Sequence, residues 1–181
     1  MMNLLLMKKD PDTEKLSGEL GFTETLFSNS DFAVVEAVTT KELLKKTNEA
    51  KRKNLLVVFR PATEELLRFA LEHSRVDIIF GQEMINPKDS FHYLRGALDQ
   101  VTCRIAAEKG KTIAFSFAEI QDSDKKGRLL GRMMQNIKLC QKYKVKMLFS
   151  TFADSKERLR STQDLAAFWR VLGGVKLESG R

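Results

Sequence analysis

The chain has 181 residues, of which 43% are hydrophobic and 30% are charged. A chain of this size is long enough for one substantial core and short for two, so we expect one globular domain over residues 1–181. No apolar run approaches the roughly 18 residues of a membrane span. The N-terminal MMNLLLMKKD carries its charges after its apolar residues, the reverse of a signal peptide, and this order favours a cytoplasmic protein.

The net charge of +7 is not evenly distributed along the chain. Residues 1–90 contain 13 Lys and Arg against 15 Asp and Glu, whereas residues 91–181 contain 18 against 9. Lys and Arg supply most of the sequence-independent affinity of proteins for nucleic acids, because they neutralise phosphates. The second half is therefore a candidate RNA- or DNA-facing surface, with a solvated basic surface as the alternative.

Short apolar segments at regular intervals predict seven strands. The segment LLVVFR is almost continuously apolar, which is typical of a strand buried on both faces of a parallel sheet. Val175–Leu177 is a further candidate strand at the end of the chain. The seven predicted strands are Asn3–Met7, Glu24–Ser28, Phe32–Val38, Leu55–Arg60, Val76–Gly81, Thr112–Phe117 and Met147–Thr151.

Helical periodicity fills most of the intervals between these strands. In the longest helix, Leu130, Met134, Ile137 and Cys140 form an apolar stripe, and basic residues, Arg132 among them, occupy the other faces. Cys140 and the other cysteine, Cys103, lack CxxC spacing, so we expect buried free thiols. The predicted helices are Asp12–Leu20, Thr40–Ala50, Thr63–Leu71, Phe91–Glu108 with a break near Gly96, Gly127–Lys142 and Thr162–Leu172.

Strands that alternate with helices about every twenty residues predict right-handed βα units and a parallel sheet. Seven or eight such units favour a closed or nearly closed TIM-barrel-like fold over an open doubly wound sheet. No Gly-rich phosphate fingerprint follows the first strand, which also favours the barrel. Because the chain is shorter than the usual ~250 residues of such barrels, we expect short loops and an incomplete last unit.

Barrel enzymes place their catalytic groups after the carboxyl ends of the strands, and these positions hold no histidine here. The two histidines, His73 and His92, fall in or beside predicted helices, so a histidine-containing metal site is not predicted. Ser150 follows a strand but has no histidine base nearby. The sequence therefore predicts no catalytic residue and no metal or cofactor bound by this chain.

Three carboxylates leave an alternative open. Glu83, Glu119 and Asp122 follow predicted strands and could hold magnesium or act as acid and base. They lie in different predicted loops, without a spacing that brings them together. A metal-dependent phosphoesterase that uses these three residues is the alternative function.

Basic residues near the strand ends give better support for RNA contact. Arginine and lysine can position an RNA through its phosphates without identifying its bases. Arg158 and Arg160, two residues apart in an irregular loop after a strand, are the strongest pair, although each could be a solvated side chain. Other candidates near these ends are Lys8, Lys9, Arg60, Arg68, Lys88, Lys125, Lys126 and Arg128.

Several motifs, in order, resemble a known family. Leu129–Gly173 contains a long helix, the strand KVKMLFS, Arg160 followed by Asp164-Leu165, and the ending VLGG. ELLRFA ahead of RVDII, and Ile105-Ala106 ahead of TIAFSF, agree with it. Over about residues 30 to 175 the chain resembles protein component three, the p-thirty type, of archaeal and eukaryotic ribonuclease P.

The resemblance implies a barrel related to the metal-dependent phosphoesterase (PHP) barrels, without their metal ligands. It implies a subunit that binds the catalytic RNA of ribonuclease P together with a small partner protein subunit. That RNA, with magnesium, would remove the 5′ leader of precursor tRNA, so this chain would contact the precursor tRNA only indirectly. Carried over by position, the RNA or partner contacts would be Arg68, Lys88, Lys109 and Arg160.

The sequence also departs from the family. Members usually have a proline between the last arginine and the Asp-Leu pair, where this chain has Ser161-Thr162-Gln163. The chain stops at Arg181, without the helical tail common in the family, and we expect a minimal or truncated member. The predicted RNA-binding set is Arg60, Arg68, Lys88, Lys109, Lys125, Lys126, Arg158 and Arg160.

Overall fold

The computed structural model describes residues 1–175, so most of the predicted strand Val175–Leu177 lies outside the described residues. No helix of this range is both long and apolar enough to cross a membrane. The strands are β1 (Met2–Leu5), β2 (Glu24–Phe27), β3 (Phe32–Ala37), β4 (Leu56–Pro61), β5 (Ile78–Ile79), β6 (Thr112–Ser116) and β7 (Lys146–Ser150). The helices are α1 (Pro11–Glu19), α2 (Thr40–Arg52), α3 (Glu64–His73), α4 (Gln100–Glu108), α5 (Phe117–Asp122), α6 (Lys126–Lys142) and α7 (Thr162–Val171).

All paired strands are parallel. β1 pairs with β2, and the other five strands form a sheet in the order β3, β4, β5, β6, β7. Each strand of the larger sheet thus lies beside its neighbour in sequence, as successive βα units produce. The parallel α/β architecture predicted from the alternation of apolar segments is confirmed.

The two sheets meet at two seams that the strand ladders do not cross. At the seam between β7 and β1, the Leu6 N–H donates to the Ala153 carbonyl at 2.8 Å. At the seam between β2 and β3, a single bridge joins Ser28 to Phe32. The fold is TIM-barrel-like, but within residues 1–175 the ladders do not close into one continuous barrel.

Two layers of apolar side chains hold the sheet. Alternate strand residues point to opposite faces, and one set forms an inner cluster with Phe80 and Phe152, whose rings stack at 4.7 Å between centroids. Phe80 follows β5 and Phe152 follows β7, so the stack covers this cluster at the carboxyl ends of the strands. The opposite set packs under the helices with Trp169, Cys103 and Cys140, and both thiols are free and buried, as predicted.

The predicted helix Phe91–Glu108 is wrong in its first half. Helix α4 begins at Gln100, where Asp99 and Thr102 form a reciprocal capping box. The segment before it is irregular and is held to α6, since Asn136 Nδ2 donates to the Gly96 carbonyl at 2.8 Å. This contact joins residues 40 positions apart, which local periodicity does not detect.

Helices α1 and α5 also differ from the prediction. Helix α1 begins at Pro11, one residue before the predicted start, and the Asp10 side chain accepts the capping bond from the Thr13 N–H. Strand β6 ends at Ser116, whose hydroxyl caps the short helix α5 that the sequence did not predict. Glu119 therefore lies on a helix that follows the strand directly, and not in a loop.

Candidate functional site at the carboxyl ends of the strands

Three consecutive strands bring charged side chains to one edge of the sheet. Arg60 lies near the end of β4. The chain leaves β5 through Gly81, in the left-handed region with φ +71°, and enters a 3₁₀ turn that carries Glu83. Strand β6 continues into α5, which carries Glu119. Because the carboxyl ends of parallel strands meet at one edge, these side chains become neighbours.

Arg60 and Glu119 form an ion pair at this edge. Arg60 Nη2 lies 3.1 Å from the Glu119 carboxylate, and the Glu119 side chain is 11% exposed. The Arg60 guanidinium also lies 3.8 Å from Glu36 and over the Phe80 ring. Burial raises the pKa of Glu119, the charge of Arg60 lowers it, and the charge of Asp122 raises it. The arginine therefore supplies a countercharge to the nearly buried Glu119 carboxylate.

Glu83 is fully buried beside this pair. Its Oε1 accepts hydrogen bonds from Gln82 Nε2 at 2.7 Å and from Asn136 Nδ2 at 2.9 Å. Burial is the main cause that raises the pKa of Glu83 to about 8, the bond from Asn136 opposes the rise, and the charge of Glu119 adds to it. At neutral pH the Glu83 carboxyl is therefore mostly protonated and supplies no charge.

The third carboxylate, Asp122, pairs with Arg158. Arg158 Nη2 lies 2.7 Å from Asp122, and Nη1 lies 3.1 Å from Asp154. With its side chain 23% exposed and two carboxylates beside it, Arg158 has its charge neutralised within the chain. No spacing in the sequence brings Glu83, Glu119 and Asp122 together, but in the fold the charge of Glu119 acts on the pKa of Glu83 and the charge of Asp122 acts on the pKa of Glu119.

The carboxylates at this edge face partners within the chain. Within residues 1–175, no group of three or more His, Cys, Asp and Glu side chains is placed to hold a metal ion. Glu119 and Asp122 face arginines, and Glu83 is neutral and bonded to two amides. In this geometry Glu119 and Asp122 are held in ion pairs with arginines, and the buried Glu83 carboxyl is held by hydrogen bonds from two amides.

A cleft of about 510 Å³ opens beside Arg60. Its charged lining residues are Glu36, Glu42, Lys46 and Arg60, two of each sign. Lys46 Nζ lies 2.6 Å from the Glu42 carboxylate, so both cations of the lining are paired. The cleft therefore has no excess positive charge that would attract a phosphate.

The eight predicted RNA-binding residues do not lie in one cluster, and their role stays a prediction. Arg60, Arg68 and Arg158 are ion-paired, Arg68 with Glu72 at 2.8 Å. Arg160 Nη1 donates to two backbone carbonyl oxygens, of Glu157 and Leu159. The other four are exposed: Lys88, Lys125 and Lys126 near the carboxyl ends, and Lys109 at the opposite end, as the C-cap of α4.

Arg132 was not predicted to be part of the site, because the helical pattern placed it on a face away from the apolar stripe of its helix. The residue is 2% exposed. Its guanidinium donates to Asp89 and to the carbonyl oxygens of Glu83 and Asn86, so it fixes the loop that follows β5. The signal was present in the spacing, because Arg132 and the buried Asn136 precede Cys140 at four-residue intervals on the core face of the helix.

Residues 34–180 match a protein-family model described as RNase P subunit p30. The chain belongs to this family. The matched segment includes Arg60, Glu83, Glu119, Asp122 and Arg158. The resemblance to the p-thirty type of ribonuclease P protein, inferred from the order of short motifs, is confirmed.

Two curated p30-type relatives from archaea are similar to the chain. Ribonuclease P protein component 3 of Methanocaldococcus jannaschii is 26% identical over 140 residues, which cover 76% of this chain and 57% of the relative. Ribonuclease P protein component 3 of Archaeoglobus fulgidus is 27% identical over 142 residues, which cover 77% of this chain and 65% of the relative. The chain thus matches less than two thirds of the length of either protein.

Solved structures share the fold of this p30 family member. A chain in the cryo-EM structure of archaeal ribonuclease P with mature tRNA superposes with a TM-score of 0.78 at 20% identity, over 96% of this chain and 83% of that chain. An amidohydrolase crystal structure superposes with a TM-score of 0.51 at 15% identity, over 95% of this chain and 50% of that chain. The barrel-like α/β fold is therefore shared with a ribonuclease P chain and with a hydrolase.

Proposed function

We propose that this chain is a protein subunit of ribonuclease P, which binds the catalytic RNA and assists removal of the 5′ leader from precursor tRNA. The observation that carries the proposal is the p30 family match over residues 34–180. The names of the two archaeal relatives support it, as does the ribonuclease P complex that contains the similar fold.

We propose further that the chain does not perform the cleavage itself. In a phosphoesterase barrel, the carboxylates at the strand ends hold the metal ions that activate water. Here Glu119 forms an ion pair with Arg60, and Asp122 forms an ion pair with Arg158. The carboxyl of Glu83 is mostly protonated at pH 7. The chemistry then belongs to the RNA, with magnesium acting through the RNA and no cofactor held by this chain.

The partners follow from the same proposal. They are the ribonuclease P RNA and the other protein subunits, in particular a small subunit that forms a heteromer with this chain. The precursor tRNA is an indirect partner, and the complex works in the cytoplasm. Among residues 1–175, exposed lysines such as Lys88, Lys125 and Lys126 are available to phosphates without breaking an internal ion pair.

Reconstitution tests the proposal. An archaeal ribonuclease P RNA and the remaining protein subunits are assembled with and without this chain, and precursor tRNA cleavage is measured at limiting magnesium. We expect the chain to raise the cleavage rate and to have no activity alone. A rate that is the same with and without the chain would contradict the proposal.

A matched variant separates assistance from catalysis. Glu83→Gln keeps the shape of the protonated side chain, and Glu119→Gln removes the remaining charge of the buried carboxylate pair. A variant with both changes should retain the stimulation if the chain is not catalytic. Manganese-dependent phosphoester hydrolysis by the chain alone, abolished in this variant, would instead establish the phosphoesterase.

A further inference from the structure

The opposite end of the sheet, where the strands begin, carries exposed cations on several neighbouring turns. We define the amino-end rim as Arg52, Lys53, Arg75, Lys109, Lys142, Lys144 and Lys146, all of which are exposed. None of the seven forms an ion pair with another of residues 1–175. Arg60 and Arg158 at the carboxyl ends are instead neutralised by internal carboxylates, although Lys88, Lys125 and Lys126 near those ends are exposed.

The strand register places these turns side by side. Ile78 of β5 is aligned with Thr112 of β6, and Thr112 is aligned with Lys146 of β7. Adjacent strands lie about 4.8 Å apart, so the starts of these three strands span about 10 Å. The turns that carry Arg75, Lys109 and Lys144 lead into them and therefore form one continuous edge.

Three of these turns have the same backbone structure. Helices α2, α4 and α6 each end in a Schellman motif, with bonds from Leu55 N–H to Ala50 O, from Lys111 N–H to Ala106 O, and from Val145 N–H to Cys140 O. Lys53 and Lys109 are both the C-cap of their helix, and Lys144 is the residue after the C-cap. The repeated motif therefore presents lysines at nearly equivalent positions along the edge.

An acidic residue inside the rim is neutralised. Asp77 pairs with Lys51, and Lys111 Nζ donates to the carbonyl oxygens of Ser74 and Val76. Burial lowers the pKa of Lys111, the charge of Asp77 opposes this, and the charges of Lys51 and Lys109 lower it further. Glu108 is an exposed carboxylate at the same end, but the seven cations of the rim outnumber it, so the rim is strongly positive.

Helix dipoles explain only part of this pattern. Arg52 and Lys142 lie in the last turns of their helices, where a cation is favourable. Arg75 and Lys146 lie outside any helix. Lys144 has a φ of 55°, in the left-handed region, where glycine or asparagine is usual and another residue costs about 1 kcal/mol. A cation kept at this position at a cost in stability indicates a role besides folding.

We propose that the amino-end rim binds the sugar–phosphate backbone of an RNA. This inference rests on the proposed function, which supplies the RNA. Exposed Lys and Arg on successive turns match a chain of phosphates, which they contact without base specificity. The rim lies at the end of the barrel opposite to the one that carries Arg60, Arg158 and the buried carboxylates.

A charge-removal variant tests the proposal. The rim variant carries Lys109→Gln, Lys144→Gly and Lys146→Gln, and the glycine relieves the positive φ of Lys144, so folding should not be impaired. The control variant carries Lys41→Gln, Lys45→Gln and Arg95→Gln, which remove the same charge from exposed cations that form no ion pair within residues 1–175. Urea unfolding confirms that both variants fold like the wild-type chain.

Binding is measured at several salt concentrations with a transcribed archaeal ribonuclease P RNA and with a 20-base-pair RNA duplex. For the rim variant we expect binding that is weaker by about tenfold or more. We also expect the slope of log affinity against log salt concentration to be less steep by about 2, since each lost phosphate contact reduces this slope by about 0.7–0.9. The control should stay within about twofold of wild type, because charges beyond the Debye length of about 8 Å are screened.

The outcomes separate the two proposals. Wild-type affinity and salt slope in the rim variant, or equal weakening in the control, would overturn the rim assignment. A variant that keeps its RNA affinity but no longer joins the partner protein subunit would overturn it too, since the rim would then be a protein interface. If the wild type binds the ribonuclease P RNA no better than the duplex, the proposed function fails. A loss of duplex binding in the rim variant alone would still support the rim.

Discussion

The buried Glu83 makes a prediction about stability and pH that the Glu83→Gln variant tests. Its pKa rises from an ordinary 4.5 to about 8, mainly through burial. Between these values the folded chain binds a proton that the unfolded chain has released. The contribution of Glu83 to the free energy of unfolding is therefore largest below pH 4.5, and this contribution decreases as the pH rises towards 8.

The expected loss is large. One pKa unit corresponds to about 1.4 kcal/mol, so the free energy of unfolding of the wild type should fall by about 3 kcal/mol from pH 5 to pH 7.5 relative to the variant. Glutamine keeps an acceptor for the bonds from Gln82 and Asn136 but does not titrate. Other titrating groups contribute similarly to both proteins and largely cancel in the difference.

Urea denaturation, followed by the fluorescence of the single tryptophan, measures this difference. Trp169 is 1% exposed and should respond to global unfolding. The two proteins should differ little at pH 5, and the variant should be the more stable at pH 7.5. Parallel curves for wild type and variant between pH 5 and pH 8 would show that Glu83 is not kept protonated by burial.

Four further predictions concern the same end of the barrel. Arg132→Met should lower the free energy of unfolding by about 3–5 kcal/mol, because Asp89 and the carbonyl oxygens of Glu83 and Asn86 lose their donor. The control Arg128→Met should change this free energy by less than about 1 kcal/mol. Urea denaturation of both variants measures the difference. Gly81→Ala should destabilise by about 1–3 kcal/mol because φ is +71° and the new Cβ would lie 2.8 Å from a Glu119 oxygen. Gly127→Ala, with open space in α6, should stabilise by up to about 1 kcal/mol; equal melting temperatures would contradict this. Arg158→Gln should leave the salt dependence of RNA binding unchanged, since two carboxylates already neutralise Arg158; a shallower dependence would restore it as a phosphate contact.

The strands were predictable because their signal is local. Apolar runs identified β4, β6 and β7 within about one residue of their observed bounds, since a strand buried on both faces needs apolar residues on both sides. The segment before α4 was not predictable in the same way. Its apolar residues resemble a helix, but the bonds from Asn136 and Arg132 that fix it come from α6, more than 39 residues later.

The candidate site was predictable in composition but not in pairing. The sequence identified Arg60, Glu83, Glu119, Asp122 and Arg158 as residues after strands. It did not show that Arg60 forms an ion pair with Glu119 and Arg158 with Asp122. These pairs depend on which strand ends are neighbours in the fold. The basic excess of residues 91–181 was visible, whereas its division between the two ends of the barrel depends on where each helix stops.

Purification of the tagged chain from its own cells tests the central claim most directly. The RNA that copurifies is sequenced and compared with the RNA recovered with the rim variant. We predict one strongly enriched RNA of several hundred nucleotides with the fold of a ribonuclease P RNA, and less of it with the variant. No enriched RNA, or an enriched RNA unrelated to ribonuclease P, would contradict the account.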